Sequence, residues 1–156
     1  MRLHICAVGR MRAGPERDLL DDYLLRADRT GRALGLGPTT VHEVEDKKGG
    51  GPAAEAALLE RALPQSAIRV MLDERGKLIS SPKFARKLAE WRDAARGDLA
   101  FIIGGADGID PGLRATADFS LSFGAMVWPH MLARVMLSEQ IYRAATILAG
   151  GPYHRA

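Results

Sequence analysis

Two glycine-hinged loops and a polar tail hold the side chains of this sequence that can do chemistry. The first loop is Phe101-Ile-Ile-Gly-Gly-Ala-Asp-Gly108, the second is Leu121-Ser-Phe-Gly-Ala-Met-Val-Trp-Pro-His130, and the tail is Pro152-Tyr-His-Arg155. Glycine lets a turn adopt positive φ and lets a flat, neutral ligand approach the backbone. The stretch from Phe123 to Trp128 sets backbone N–H and C=O groups beside apolar surface, and an adenine ring needs both kinds of contact. Asp107 reads as a ligand contact and Asp110 as a helix cap. The chemistry these groups suggest is a nucleotide-type cofactor pocket with catalytic or RNA-binding groups attached.

The commoner phosphate loops do not fit. Gly9-Arg-Met-Arg-Ala-Gly14 follows an apolar run, but Pro15 and Glu16 stand where a Walker loop needs Lys and Ser or Thr. Gly104-Gly-Ala-Asp-Gly108 lacks the G-x-G-x-x-G spacing of a dinucleotide turn. No cluster of Cys and His has the spacing of a metal site, so no metal is expected.

The elements that position these loops alternate. Leu3–Val8 reads as a buried strand, residues 16–29 as an amphipathic helix, and residues 40–44 as a second strand. A polar loop over 45–52, expected to be mobile, leads to a helix over 53–63. Residues 68–72 form a third strand closed by a turn at Asp73-Glu-Arg-Gly76, and Ser81-Pro82 starts a helix with Ser81 as its cap. Leu99–Ile103 is a continuously apolar strand, as in the middle of a parallel sheet. A short helix over 113–117, a strand over 119–122 and a long helix over 131–149 follow. The expectation is an α/β fold: one domain over residues 1–156, with a parallel-rich sheet of five or six strands and helices on both faces. Ligands of such sheets bind at the carboxyl ends of the strands, where both loops fall.

Composition bounds the class. The 156 residues are 47% hydrophobic and 26% charged, as in a soluble globular domain, and are long enough for one core. With 22 basic and 19 acidic side chains the net charge is only +3, so RNA binding requires local clusters. Cys6 has no partner for a disulfide, which fits a reducing compartment. Arg10 and Arg12 interrupt any leader-like run, no apolar stretch reaches the roughly 18 residues of a membrane span, and a cytoplasmic location is expected.

These motifs resemble, jointly and over the full length, the small bacterial 23S rRNA (pseudouridine-N3)-methyltransferases of the SPOUT class. The likeness is densest in Ile103-Gly-Gly-x-x-Gly108, Leu121-Ser-Phe123, Pro129-His130, Arg134-Val135, Glu139-Gln140-x-Tyr142-Arg143-Ala144 and Tyr153-His154-Arg155. The resemblance implies a C-terminal trefoil knot, a rare exception to unknotted topology. It also implies S-adenosylmethionine as cofactor, held by Leu72, Gly104, Phe123, Gly124, Ala125, Met126, Val127 and Trp128. Three residues depart from the family pattern: Val127 where Thr is usual, Met131 after the Pro-His pair, and Gly151 before Pro-Tyr-His.

Methyl transfer to N3 of a pseudouridine requires positioning and loss of an imide proton. On that reading His154, Tyr153 and Arg155 are the catalytic candidates: His154 as base by residue type, Tyr153 against the flipped base, Arg155 towards phosphate. Arg134, Arg10 and Arg12 are expected to meet RNA, with Lys47 and Lys48 adding to the rim. Tyr142 and Arg143 fit packing or substrate contact equally, His130 a structural or a chemical role, and His4 and His42 read as structural strand residues without partners. The resemblance implies a homodimer whose pockets are completed by the partner, acting on 23S rRNA within the assembled ribosome. A SPOUT tRNA methyltransferase and a non-catalytic ribosome-binding factor remain the rival readings.

Overall fold

A computed structural model describes residues 1–155 of the chain. Five parallel strands, β1 (Leu3–Val8), β2 (Thr39–Val44), β3 (Ile68–Lys77), β4 (Leu99–Ile103) and β5 (Phe119–Leu121), lie in the order β2-β1-β4-β3-β5. The helices are α1 (Pro15–Gly31), α2 (Gly51–Ala62), α3 (Ser81–Asp93), α4 (Pro111–Arg114) and α5 (His130–Leu148). The α/β fold and parallel sheet are thus as expected, with five strands.

Successive side chains of a strand face opposite ways, so the sheet builds two cores. Leu3, Ile5, Phe101 and Val70 point towards α1, α3 and α5, where they meet Leu20, Leu24, Phe84, Leu88, Leu137 and Ile141. Cys6, Met71, Ala100 and Ile102 point the other way, onto Leu59 of α2, Leu63 just beyond its end and Leu113 of α4. Every residue of β1 and β4 is buried, which is why β4 reads as an unbroken apolar run and β1 as one interrupted only by His4. Burial also pushes the Cys6 thiol up to about 12, so it stays protonated and inert.

Four local expectations are corrected. Asp73–Gly76 does not turn; β3 continues to Lys77 with an irregularity after Leu72. Gly76 makes this possible, because a Cβ there would lie 2.7 Å from the Ser120 backbone carbon and 2.8 Å from Leu121. The cap of α3 is Ser80, whose hydroxyl accepts from Lys83 N at 3.3 Å, while Ser81 Oγ donates to Gln140 Oε1 at 2.7 Å. The loop after β2 is tied down: Asp46 accepts from Lys48 N and Gly50 N, so α2 begins already at Gly51. His4 and His42 do have partners. His4 Nδ1 lies 3.0 Å from His42 Nε2, and His4 Nε2 lies 2.9 Å from Asp98 Oδ2.

Candidate functional site

The carboxyl ends of β3, β4 and β5 open onto one cleft of about 370 Å³, closed on the far side by His130 and Ala133 of α5. Its floor is backbone. Gly104 allows no side chain, since a Cβ would sit 2.8 Å from the carbonyl of Gly108 and 2.9 Å from Ile109. The turn is locked by Gly108 N donating to Gly105 O at 3.1 Å, with Gly108 at φ 82°. In the second loop Gly124, at φ 113°, donates its N–H to Ser122 Oγ at 3.0 Å. Beyond it Met126 and Val127 are 74% and 87% exposed, an uncovered apolar rim.

Of the residues expected to hold a cofactor, Leu72, Gly104, Phe123, Gly124, Met126, Val127 and Trp128 line this cleft; Ala125 is exposed and is not among its lining residues. Sequence reasoning missed Asp73, Arg75, Arg114 and Ala133, which also line it. Arg114 Nε lies 2.7 Å from Asp73 Oδ2 without aiming its hydrogen at that oxygen, while Nη2 donates to Ile109 O at 2.8 Å. That arginine ties the first loop to the end of β3. Asp110 caps α4 as expected, accepting from Gly112 N and Leu113 N. Asp107 is at the cleft, and behind it the Glu55 carboxylate fills the space that a Cβ on Gly105 would take. Burial and the Asp107 charge push the Glu55 carboxyl up, opposed by His130.

Arg134 corrects an expectation. It was to face RNA, but it is 1% exposed and its two Nη groups are engaged inside the molecule, while Nε is buried without a partner. Nη1 meets Glu43 Oε2 at 2.7 Å, and Nη2 reaches the carbonyls of Val8 and Gly9 at 3.3 and 3.1 Å. Glu43 in turn accepts from Met11 N at 2.7 Å. Burial alone would raise the Glu43 carboxyl, but the Met11 N–H and the Arg134 guanidinium outweigh it and hold the group below its ordinary value. This network fastens the loop after β1 to the start of α5, where Gly9 lies against Met131 and His130. Arg12 is exposed on that loop, Arg10 pairs with Glu45 at 3.2 Å on the surface, and Lys47 and Lys48 are exposed nearby.

The tail folds back on the other end of α5. Tyr153 Oη donates to Glu139 Oε1 at 2.9 Å, its ring lies 4.6 Å from that of Tyr142, and the Arg143 guanidinium sits 4.7 Å above it. Burial, with the Glu139 bond, pushes the Tyr153 phenol up to about 12. Arg143 also binds Glu139 at 2.6 Å and approaches His154 Nδ1 at 3.2 Å. A guanidinium only donates, so Nδ1 accepts and the neutral ring carries its hydrogen on Nε2. Arg155 is exposed. Tyr142 and Arg143 are therefore structural supports of the tail. From His130 to Glu139 and Arg143, which hold the tail, is roughly 14 and 20 Å along the helix, so cleft and tail meet α5 at different turns.

Residues 1–154 match the sequence profile of the family described as "Predicted SPOUT methyltransferase". The chain is 72% identical over 155 residues to "Ribosomal RNA large subunit methyltransferase H" of Ruegeria sp. (strain TM1040), covering 99% of both. To proteins of the same name from Dinoroseobacter shibae and Paracoccus denitrificans it is 70% and 68% identical, again over 99% of each. Among solved structures, a probable methylase family protein from Haemophilus influenzae Rd KW20 superposes with a TM-score of 0.53 at 14% identity. The match covers 99% of this chain and 70% of that one, a likeness of fold. With a three-loop cleft at the ends of a parallel sheet, a full-length profile match and relatives at this identity, the chain belongs to the SPOUT methyltransferases.

Proposed function

We propose that the protein is an S-adenosylmethionine-dependent methyltransferase acting on N3 of a pseudouridine in 23S rRNA, within the assembled ribosome and in the cytoplasm. The observation that carries this reading is the cleft. Its glycine floor at Gly104 and Gly105 has no room for side chains, and the loop from Phe123 to Trp128 adds backbone polar groups beside apolar walls. Those features fit an adenosyl group, and Leu72, Gly104, Phe123, Gly124, Met126, Val127 and Trp128 would hold it, with Ala125 supporting the loop from outside. The cofactor supplies a methyl group on a sulfonium centre. No metal takes part in this reading.

The tail supplies the substrate side. The His154 Nε2–H, aimed by the Arg143 contact to Nδ1, donates to an imide oxygen of the target base and favours loss of the N3 proton to water. Tyr153 stays neutral because its phenol is high and bonded to Glu139, so it shapes the site without taking a proton. Arg155, exposed beside them, pairs with phosphate. Cleft and tail lie at opposite ends of α5, and a homodimer that pairs the tail of one protomer with the cleft of its partner brings them together. The return of the chain from β5 through α5 is the family's trefoil knot on this reading.

Purified protein should transfer labelled methyl from the cofactor to ribosomes lacking the modification, and not to tRNA. Transfer to tRNA would favour the rival SPOUT reading, and no cofactor binding by calorimetry would favour a non-catalytic ribosome-binding factor. Mixing Gly104→Leu chains, whose larger side chain fills the cofactor cleft, with His154→Ala chains should restore about a quarter of wild-type activity through two-fold symmetric heterodimers with one intact site. No recovery would place tail and cleft action within a single chain.

A further inference from the structure

The functional reading leaves one basic surface unused, at the β5 edge of the sheet. Phe119 of β5 and Trp91 of α3 meet edge to face at 5.8 Å. Lys87 places its ammonium 4.8 Å from the Phe119 centroid and 5.5 Å from that of Trp91; Lys77, at the end of β3, lies 5.9 Å from Phe119. Lys83 and Arg86 are exposed on the same helix. None of these four cations is within ion-pair distance of a carboxylate among the described residues, although other cations around them are matched: Arg69 with Glu60, Arg92 with Asp93 and Arg96 with Asp118. Aromatic faces hold the lysine stems in place, so ordering them against a ligand costs little further entropy. The surface also adjoins the cleft along β3. Lys77 pairs in register with Leu121, and Leu121 and Arg75 both line the cleft.

We propose that this edge is where rRNA docks, its backbone phosphates acting as counterions to Lys77, Lys87, Lys83 and Arg86 while the target base reaches the cleft. The proposal rests on the functional reading above and names a surface other than the loops carrying Arg10 and Arg12. Each phosphate neutralised releases condensed counterions, so the contacts should show as salt dependence.

The test is steady-state methylation of unmodified ribosomes by the full-length protein across a range of KCl concentrations. A Lys77→Gln/Lys87→Gln variant should raise KM for ribosomes about tenfold at 0.1 M salt and reduce the log–log salt slope by about two. Its kcat and its cofactor affinity should stay at the wild-type values. The charge-retaining Lys77→Arg/Lys87→Arg variant should keep the wild-type KM and slope. An unchanged KM in the Gln variant, or equal loss in the Arg variant, would overturn the docking surface. Inactivity of the wild-type protein on ribosomes would instead overturn the functional reading, and this inference with it.

Discussion

The two ends of α5 are built in opposite ways. At the His130 end the site is backbone and glycine, and side chains matter mainly by their absence at Gly104 and Gly105. At the Arg143 end everything is side chain: Glu139 gathers Gln140, Arg143 and Tyr153, and His154 leans on the result. A backbone cradle suits a cofactor of one fixed shape, because its donors and acceptors cannot rotate away. A side-chain network suits a base presented on a larger molecule, since its charges can adjust. Between the two ends Arg134 ties the helix to β1 and β2, so both sites share one rigid support.

The sharpest way to break this division is at His154. Replacing it with Ala should lower turnover by about 100- to 1,000-fold, the loss of one positioned donor, while cofactor affinity by calorimetry stays unchanged. His154→Gln, which keeps an N–H donor, should recover part of that loss. Equal loss in both variants would return His154 to the role of proton acceptor. The shared support comes next. Arg134→Ala should cost about 2–3 kcal/mol in denaturant unfolding, because it leaves the Val8 and Gly9 carbonyls without their donor and Glu43 with Met11 N alone.

The cofactor end should respond differently. Gly104→Ala drives a methyl into the Gly108 carbonyl, and cofactor affinity should fall about tenfold, equivalent to roughly 1.4 kcal/mol. The Tyr153–Glu139 distance in a crystal of that variant should be unchanged; a disturbed tail would mean that the two ends are not independent. The smallest effect is one of pH. Because the folded state holds the Glu43 carboxyl below its unfolded value of about 4.3, its contribution is present above that value and is lost as pH falls through the folded one. Thermal stability of the wild type should therefore drop more steeply on acidification from pH 5 to pH 3 than that of Glu43→Gln.

Much of the cleft was legible in the sequence, since apolar strands followed by glycines announce themselves locally. The two glycine loops could be placed at strand ends from the residues alone, whereas Leu72, Gly104 and the Phe123–Trp128 loop were named as cofactor contacts through the family resemblance. Arg134 was not legible, because an arginine on a long helix looks solvent-facing until its partners arrive from β1 and β2, 91 to 126 residues away. The surrounding α5 gives little warning, for it also buries Ser138 and Thr146 and shows no single apolar stripe. Separations of 38 and 94 residues likewise hid the His4–His42–Asp98 chain. Asp73–Gly76 misled for another reason: its composition is that of a turn, and only the close approach of β5 keeps it extended.

The Arg134 network has a kinetic side. β1 is the first strand to be synthesised, yet it pairs with Leu99–Ile103 and its last carbonyls wait for a guanidinium at position 134. Contacts this far apart in the chain close slowly, because most of the polypeptide must be ordered before they form. On a translating ribosome, the six residues of β1 can pair with β2 early, but they lack β4 until residue 103 and the Arg134 contact until nearly the whole chain has emerged. The first segment made is among the last to reach its native state, and nascent chains stalled before residue 134 should remain open to proteases that spare the finished protein.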